Sequence, residues 1–140
     1  MRFWDTSALV PLLASEPDSA RRTAALRADS AMSVWWGTLV ECESALQRRV
    51  REGALNTEAA RQARDRLAVL AAAWHEVPPT PPLRTLATRL LRTHPLRAAD
   101  ALQLAAALAL TQAGMPDLHF YTADIRLAQA AEIEGLRVEH

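Results

Sequence analysis

The chain has 140 residues, half of them apolar; that is enough for one domain, 1–140, whose core needs neither disulfides nor structural zinc, and it excludes a disordered chain. Sixteen basic and sixteen acidic residues cancel, which excludes attraction of the whole molecule to nucleic acid but leaves room for a local basic surface. The cations other than histidine are all arginine, and with no lysine present, Schiff-base chemistry, P-loop phosphate binding and phospho-aspartate sites with a lysine partner are excluded.

In chain order, Arg2 to Trp4 predicts a short strand ending at Asp5. Thr6-Ser7-Ala8-Leu9-Val10 then begins a helix, with Thr6 or Ser7 as its N-cap. Glu16-Pro17-Asp18 marks a second helix start, running to about Arg27. Ala31 to Trp36 is short and apolar and reads as a strand. Thr38 is the expected N-cap of a helix from Leu39 to Arg51, with Glu41 at its third position and Gly53 as its stop. Asn56-Thr57-Glu58 opens a long helix to about Trp74, with Ala60, Ala63, Leu67 and Leu70 or Ala71 as its buried stripe. His75-Glu76-Val77 is a further strand, and Pro78-Pro79-Thr80-Pro81-Pro82 reads as a rigid extended loop. A helix from Leu83 to Thr93 follows, broken by His94-Pro95; the next carries Asp100 near its start and is ended by Gly114 and Pro116. Leu118 to Thr122 is a strand, Asp124 to Ile133 the last helix, and Leu136 to Glu139 the last strand. Short apolar strands alternating with helices predict an α/β fold: a central parallel sheet of four to five short strands flanked by helices.

Cys42 is the sole cysteine. No internal disulfide or cysteine zinc cluster can form, and a reducing cytoplasm is the expected compartment. The thiol reads as a small helix-core group rather than a nucleophile. Asp5 interrupts any signal-peptide pattern, and the longest apolar stretch, Ala101 to Leu110, is too short to span a bilayer, so no membrane partner is expected.

Four carboxylates stand alone at the edges of apolar segments: Asp5, Glu41, Asp100 and Asp124. An acid beside a hydrophobic run is costly if the fold buries it unpaired. Sites in open α/β sheets form beyond the carboxyl ends of the strands. Asp5 and Asp124 each follow a strand, while Glu41 and Asp100 lie in the first turn of helices that start near the same edge. All four can therefore reach one place, where a divalent metal with oxygen ligands is the simplest reason for them to meet. Each also has a plainer reading: Asp5 and Asp124 as helix caps, Glu41 as a capping-box acid, Asp100 as a helix N-terminal acid. Glu43 competes with Glu41, because helical spacing puts Glu43 on the stripe of Leu39, Leu46 and Val50.

At these residues the chain resembles the PIN-domain family, in particular toxins of the VapC type. Phe3-Trp4-Asp5-Thr6-Ser7-Ala8-Leu9 is similar to the family's opening strand and Asp-Thr/Ser-Ser motif. Thr38-Leu39-Val40-Glu41 with Ser44-Ala45-Leu46 resembles its second acidic motif. Leu96 to Ala105, around Asp100, is close to its most recognisable segment, and Phe120-Tyr121-Thr122-Ala123-Asp124 resembles the last. The segment from about Asn56 to Pro82 carries no such signature. The resemblance favours Glu41 over Glu43. It implies a PIN-like three-layer fold, often dimeric, and a metal-dependent endoribonuclease held inactive by a cognate antitoxin protein.

The mechanism implied is hydrolysis of an RNA phosphodiester. Asp5, Asp100 and Asp124 would hold one or two Mg2+ or Mn2+ ions, with Glu41 completing the shell directly or through water. Thr6 and Thr122 would orient ligands or water. Arg97 and Arg126, beside Asp100 and Asp124, are placed to touch substrate phosphates. The run Arg48-Arg49-Val50-Arg51 ends a helix, where cations suit the dipole, and Trp35 and Trp36 read as packing residues. The apolar helices from Leu39 to Trp74 offer surface for an antitoxin helix or for a second subunit in a homodimer. The competing readings are an RNA-processing or structure-specific nuclease of the same fold, a non-catalytic RNA- or protein-binding module, and a phosphatase-like enzyme with Asp5 as nucleophile.

Overall fold

The computed structural model describes residues 1–140. In chain order the elements are β1 (Arg2–Trp4), α1 (Thr6–Leu13), α2 (Ser19–Ala28), β2 (Met32–Trp35), α3 (Thr38–Arg51) and α4 (Thr57–Ala73), then β3 (His75–Val77), α5 (Pro81–Thr93), α6 (Ala98–Gln112), β4 (His119–Tyr121), α7 (Ile125–Ile133) and β5 (Arg137–Glu139). The strands form one sheet in the order β3-β2-β1-β4-β5. Every pairing is parallel, with Phe3 opposite Ser33 on one side and Phe120 on the other.

Side chains alternate across each strand; the central strands are covered on both faces, β2 along its whole length, while the edge strands β3 and β5 stay partly exposed and carry polar residues. Trp4, Val34 and Tyr121 face a core shared with α1, α3 and α4; Phe3, Trp35, Val77 and Phe120 face one shared with α5, α6 and α7. Aromatic pairs stitch β1 to β4 on the two faces: Phe3 stacks on Phe120 at 5.6 Å between ring centres, and Trp4 meets Tyr121 edge-on at 4.6 Å. Helix α6 is buried almost all round, and its alanines let it lie close to the sheet.

Local chemistry moves several helix starts from where the sequence pattern put them. Helix α1 is capped by Asp5 rather than by Thr6 or Ser7, since the Asp5 carboxylate accepts from the Ser7 amide. Gly37, not Thr38, precedes α3; Thr38 is already helical and buried, and Glu41 is the fourth residue. Pro81 and Pro82 belong to the first turn of α5, not to an extended loop. Proline suits that position because the first helical amides have no partner to lose, and Thr80 supplies the cap, its Oγ1 accepting from the Leu83 amide at 3.3 Å. Asp124 caps α7 in the same way as Asp5 caps α1.

Phe120 is fully buried and joins the stack that ties the two halves of the sheet. Phe120→Ala is expected to lower unfolding free energy by about 3–5 kcal/mol in a denaturant titration.

Candidate active site

The crossover from β1 to β2 runs over one face of the sheet and that from β4 to β5 over the other, so the chain diverges at the adjacent strands β1 and β4. A crevice opens there at the carboxyl ends of the strands. Asp5 directly follows β1, and Thr122-Ala123-Asp124 directly follows β4. Helices α3 and α6 begin at the same edge and bring Glu41 and Asp100. The four carboxylates line one open basin of about 550 Å3, together with Thr6, Ser7 and Arg48.

Asp5 is the deepest of them, 4% exposed. Its Oδ2 accepts from the Ser7 amide, the Ser7 hydroxyl and the Thr122 hydroxyl, the last at 3.0 Å; Oδ1 takes no hydrogen bond from the protein. Burial pushes the Asp5 carboxyl above its ordinary range, the bonds from Ser7 and Thr122 oppose that, and the Asp100 charge adds to it. Asp124 places Oδ1 3.0 Å from the Leu127 amide, while its own amide donates to Thr122 Oγ1. Thr122 is thus the tie between the two acids, and Ser7 Oγ, 3.2 Å from Thr122 Oγ1, accepts from the Ala123 amide.

Glu41 is held by both oxygens: Thr6 Oγ1 donates to Oε1 at 3.3 Å and Gln103 Nε2 to Oε2 at 3.1 Å. Burial first, then the Asp5 charge, push its carboxyl up to about 7. Asp100, in the first turn of α6, is raised by burial and by the charge of Asp124, with the Arg97 amide and guanidinium opposing. Glu43 lies elsewhere. It accepts from Gln47 and lines an apolar groove between α3 and α4, so of the two candidate acids on α3 only Glu41 reaches the basin. Cys42 is fully buried on the core side of α3, its thiol pushed up to about 12 by burial, as an inert core group should be.

Arg97 and Arg126 line a second pocket that shares Ala99, Asp100 and Asp124 with the basin. Trp35 is buried in the core; Trp36 is exposed and outside the basin. Two features escaped the sequence reading. Gln103 is fully buried, and its amide lies within 3.0–3.1 Å of Thr6 Oγ1, Thr38 Oγ1 and Glu41 Oε2. Its only signal in the sequence is a lone amide inside an apolar run, one helical turn after Asp100. The other is the place of Arg48 in the site: the sequence puts it on the same helical face as Glu41 but accounts for it as a helix-end cation, whereas it lines the basin two turns along from Glu41.

The donor set suits a hard divalent cation: all oxygen, strongly acidic, and short of countercharge. As they stand, no three acidic, histidine or cysteine side chains are gathered tightly enough to enclose an ion. No protein donor reaches Asp5 Oδ1 or the second oxygen of Asp124, so both are left for another partner. The chemistry of the residues fits such an ion; their present spacing does not enclose one.

A family model described as the PIN domain matches residues 2–133. Among solved structures, FitAcB from Neisseria gonorrhoeae superimposes with a TM-score of 0.69 at 18% identity, over 100% of this chain and 97% of that one. VapC20 from Mycobacterium tuberculosis, described as a sarcin–ricin loop cleaving toxin, gives 0.67 at 17% identity over 93% and 95%. VapBC2 from Rickettsia felis, bound to a DNA fragment from its promoter, gives 0.65 at 14% identity over 99% and 96%. No curated protein matches the chain.

The raised carboxyl of Asp5 has a thermodynamic consequence. A carboxyl whose folded-state value lies above its unfolded value of 3.8 costs stability once ionised, and that cost grows as pH rises from the unfolded value through the folded one. Asparagine keeps the cap and the bonds from Ser7 and Thr122 without the charge. In chelator at pH 8, Asp5→Asn is therefore expected to melt above the wild type, with the gap closing toward pH 4.

Proposed function

The chain belongs to the PIN-domain family, and on that premise we propose that it is a metal-dependent endoribonuclease, the toxin of a toxin–antitoxin pair. The observation that carries this reading is the basin itself: four carboxylates from four separate elements at the carboxyl edge of the sheet, short of positive charge. Support for a cleaving activity comes from VapC20, described as a sarcin–ricin loop cleaving toxin, and support for an antitoxin partner from the toxin–antitoxin pairs among the structural neighbours.

In this reading Asp5, Asp100 and Asp124 hold one or two Mg2+ or Mn2+ ions, offering the oxygens that hydrogen bonding leaves open. When bound, the cation supplies charge neutralisation and Lewis acidity at a phosphodiester. The chain's own groups do the rest. Thr122 and Ser7 fix the rotamer of Asp5, and the helix caps on α1 and α7 fix one oxygen of Asp5 and one of Asp124. Thr6 and Gln103 hold Glu41 at the rim, where it takes the proton of the attacking water or positions it. Arg97 and Arg126, neither engaged in an ion pair, grip phosphates beside the site.

An antitoxin segment fits the apolar groove of about 710 Å3 between α3 and α4, lined by Leu39, Val40, Leu67 and Ala71. Leu39 and Val40 are 41% and 69% exposed, which makes that groove the natural seat for an amphipathic helix. No helix is long and apolar enough to cross a membrane.

Two measurements test the reading. Asp5→Asn, Asp100→Asn and Asp124→Asn are each expected to abolish Mn2+-dependent RNA cleavage while far-UV circular dichroism stays unchanged; wild-type activity in any of them removes that residue from the site. Millimolar Mn2+ is expected to raise the melting temperature of the wild type, because a ligand of the native state stabilises it, and to leave Asp100→Asn much less affected.

A further inference from the structure

Helix α3 carries Glu41, Ser44, Ala45 and Arg48 along one face, and all four line the basin. Seven residues of helix place Arg48 about 10 Å along the axis from Glu41. Its neighbour Arg49 is paired with Glu16, and that pair forms part of the basin wall. Arg48 is different. It is exposed and makes no ion pair or hydrogen bond. A helix C-terminus explains a cation at this position; it does not explain why the cation points into an acidic basin while its neighbour is neutralised.

The second pocket continues the basin on the far side of Asp100 and Asp124, toward Arg97 and Arg126. The two share Ala99, Asp100 and Asp124, so they form one trough with acids in the middle, Arg48 at one end and Arg97 and Arg126 at the other. A polyanion lying in it meets attraction at both ends and repulsion at the centre, relieved only by a bound cation.

We propose that Arg48 is a phosphate-binding residue on the α3 side of the basin, so that a single RNA strand crosses the acids held on both flanks and is cut at internal bonds. The proposal rests on the ribonuclease reading and adds to it the path of the strand. It sets Arg48 and the pair Arg97/Arg126 on opposite sides of the bond that breaks. Binding then needs nucleotides on both sides of that bond.

The test is fluorescence anisotropy of a single-stranded RNA of about 12 nucleotides, with the full chain in Ca2+ and across about 50–200 mM salt. Arg48→Ala is expected to weaken binding about fivefold and to reduce the slope of log affinity against log salt by about 0.7, the loss of one phosphate contact on a single strand. Arg48→Lys should recover most of both, because a phosphate accepts a point charge. Arg92→Ala, on α5 outside the trough, is the control and should change neither. An Arg48→Ala variant indistinguishable from Arg92→Ala overturns the proposal, including the case in which Arg48 serves an acidic segment of a protein partner instead. Failure of the wild type to bind RNA overturns it as well. Wild-type binding without cleavage in Mn2+ defeats the nuclease reading alone, and the salt slope of Arg48→Ala still decides the role of Arg48.

Discussion

A carboxylate buried at the seam between β1 and β4 is the constraint from which the rest of the site follows. Asp5 sits where the chain must leave the sheet, beneath α1 and beside the turn after β4, and it is almost wholly out of water. Such a group needs donors, and the local sequence supplies them: the amide and hydroxyl of Ser7, the hydroxyl of Thr122, and the start of α1. These donors do not cancel the cost of burial, since the carboxyl still stands above its ordinary range. Glu41 and Asp100 add their own charge nearby and are raised too. The fold therefore stores an electrostatic deficit at one point, which a cation entering the basin relieves.

Capping and ligation are compatible for the same side chain. A carboxylate has two oxygens. In Asp5 and Asp124, one of them accepts from the first turn of the following helix, which fixes the side-chain rotamer and leaves the other without a donor from the protein. The plain structural role thereby sets the geometry of the chemical one. Glu41 differs, with both oxygens engaged, by Thr6 and Gln103. That arrangement suits a group that handles water at the rim better than one that must close around an ion.

Much of this was legible in the chain. Short segments around Phe3-Trp4 and from Leu118 to Thr122 read as strands, and an acid just beyond them marks the functional edge, because parallel strands end together. Boundaries were harder. Pro81-Pro82 looks like extended chain until Thr80 is seen to cap it, and Thr38 looks like a cap until Gly37 makes the turn. The choice between Glu41 and Glu43 lay beyond periodicity, since only the placement of α4 shows that Glu43 faces a groove between helices. Gln103 was hidden for a different reason. An amide in an apolar helix declares nothing until its three oxygen neighbours, drawn from α1 and α3, are brought to it by the fold. Arg48 was hidden because a helix end accounts for arginine without reference to anything across the basin.

The most direct measurement of the central claim is anomalous scattering from a crystal grown with Mn2+. One or two ions bound by oxygens of Asp5, Asp100 and Asp124, with those side chains drawn inward, is the predicted result. A basin left without manganese at saturating concentration, its carboxylates still apart, would contradict it.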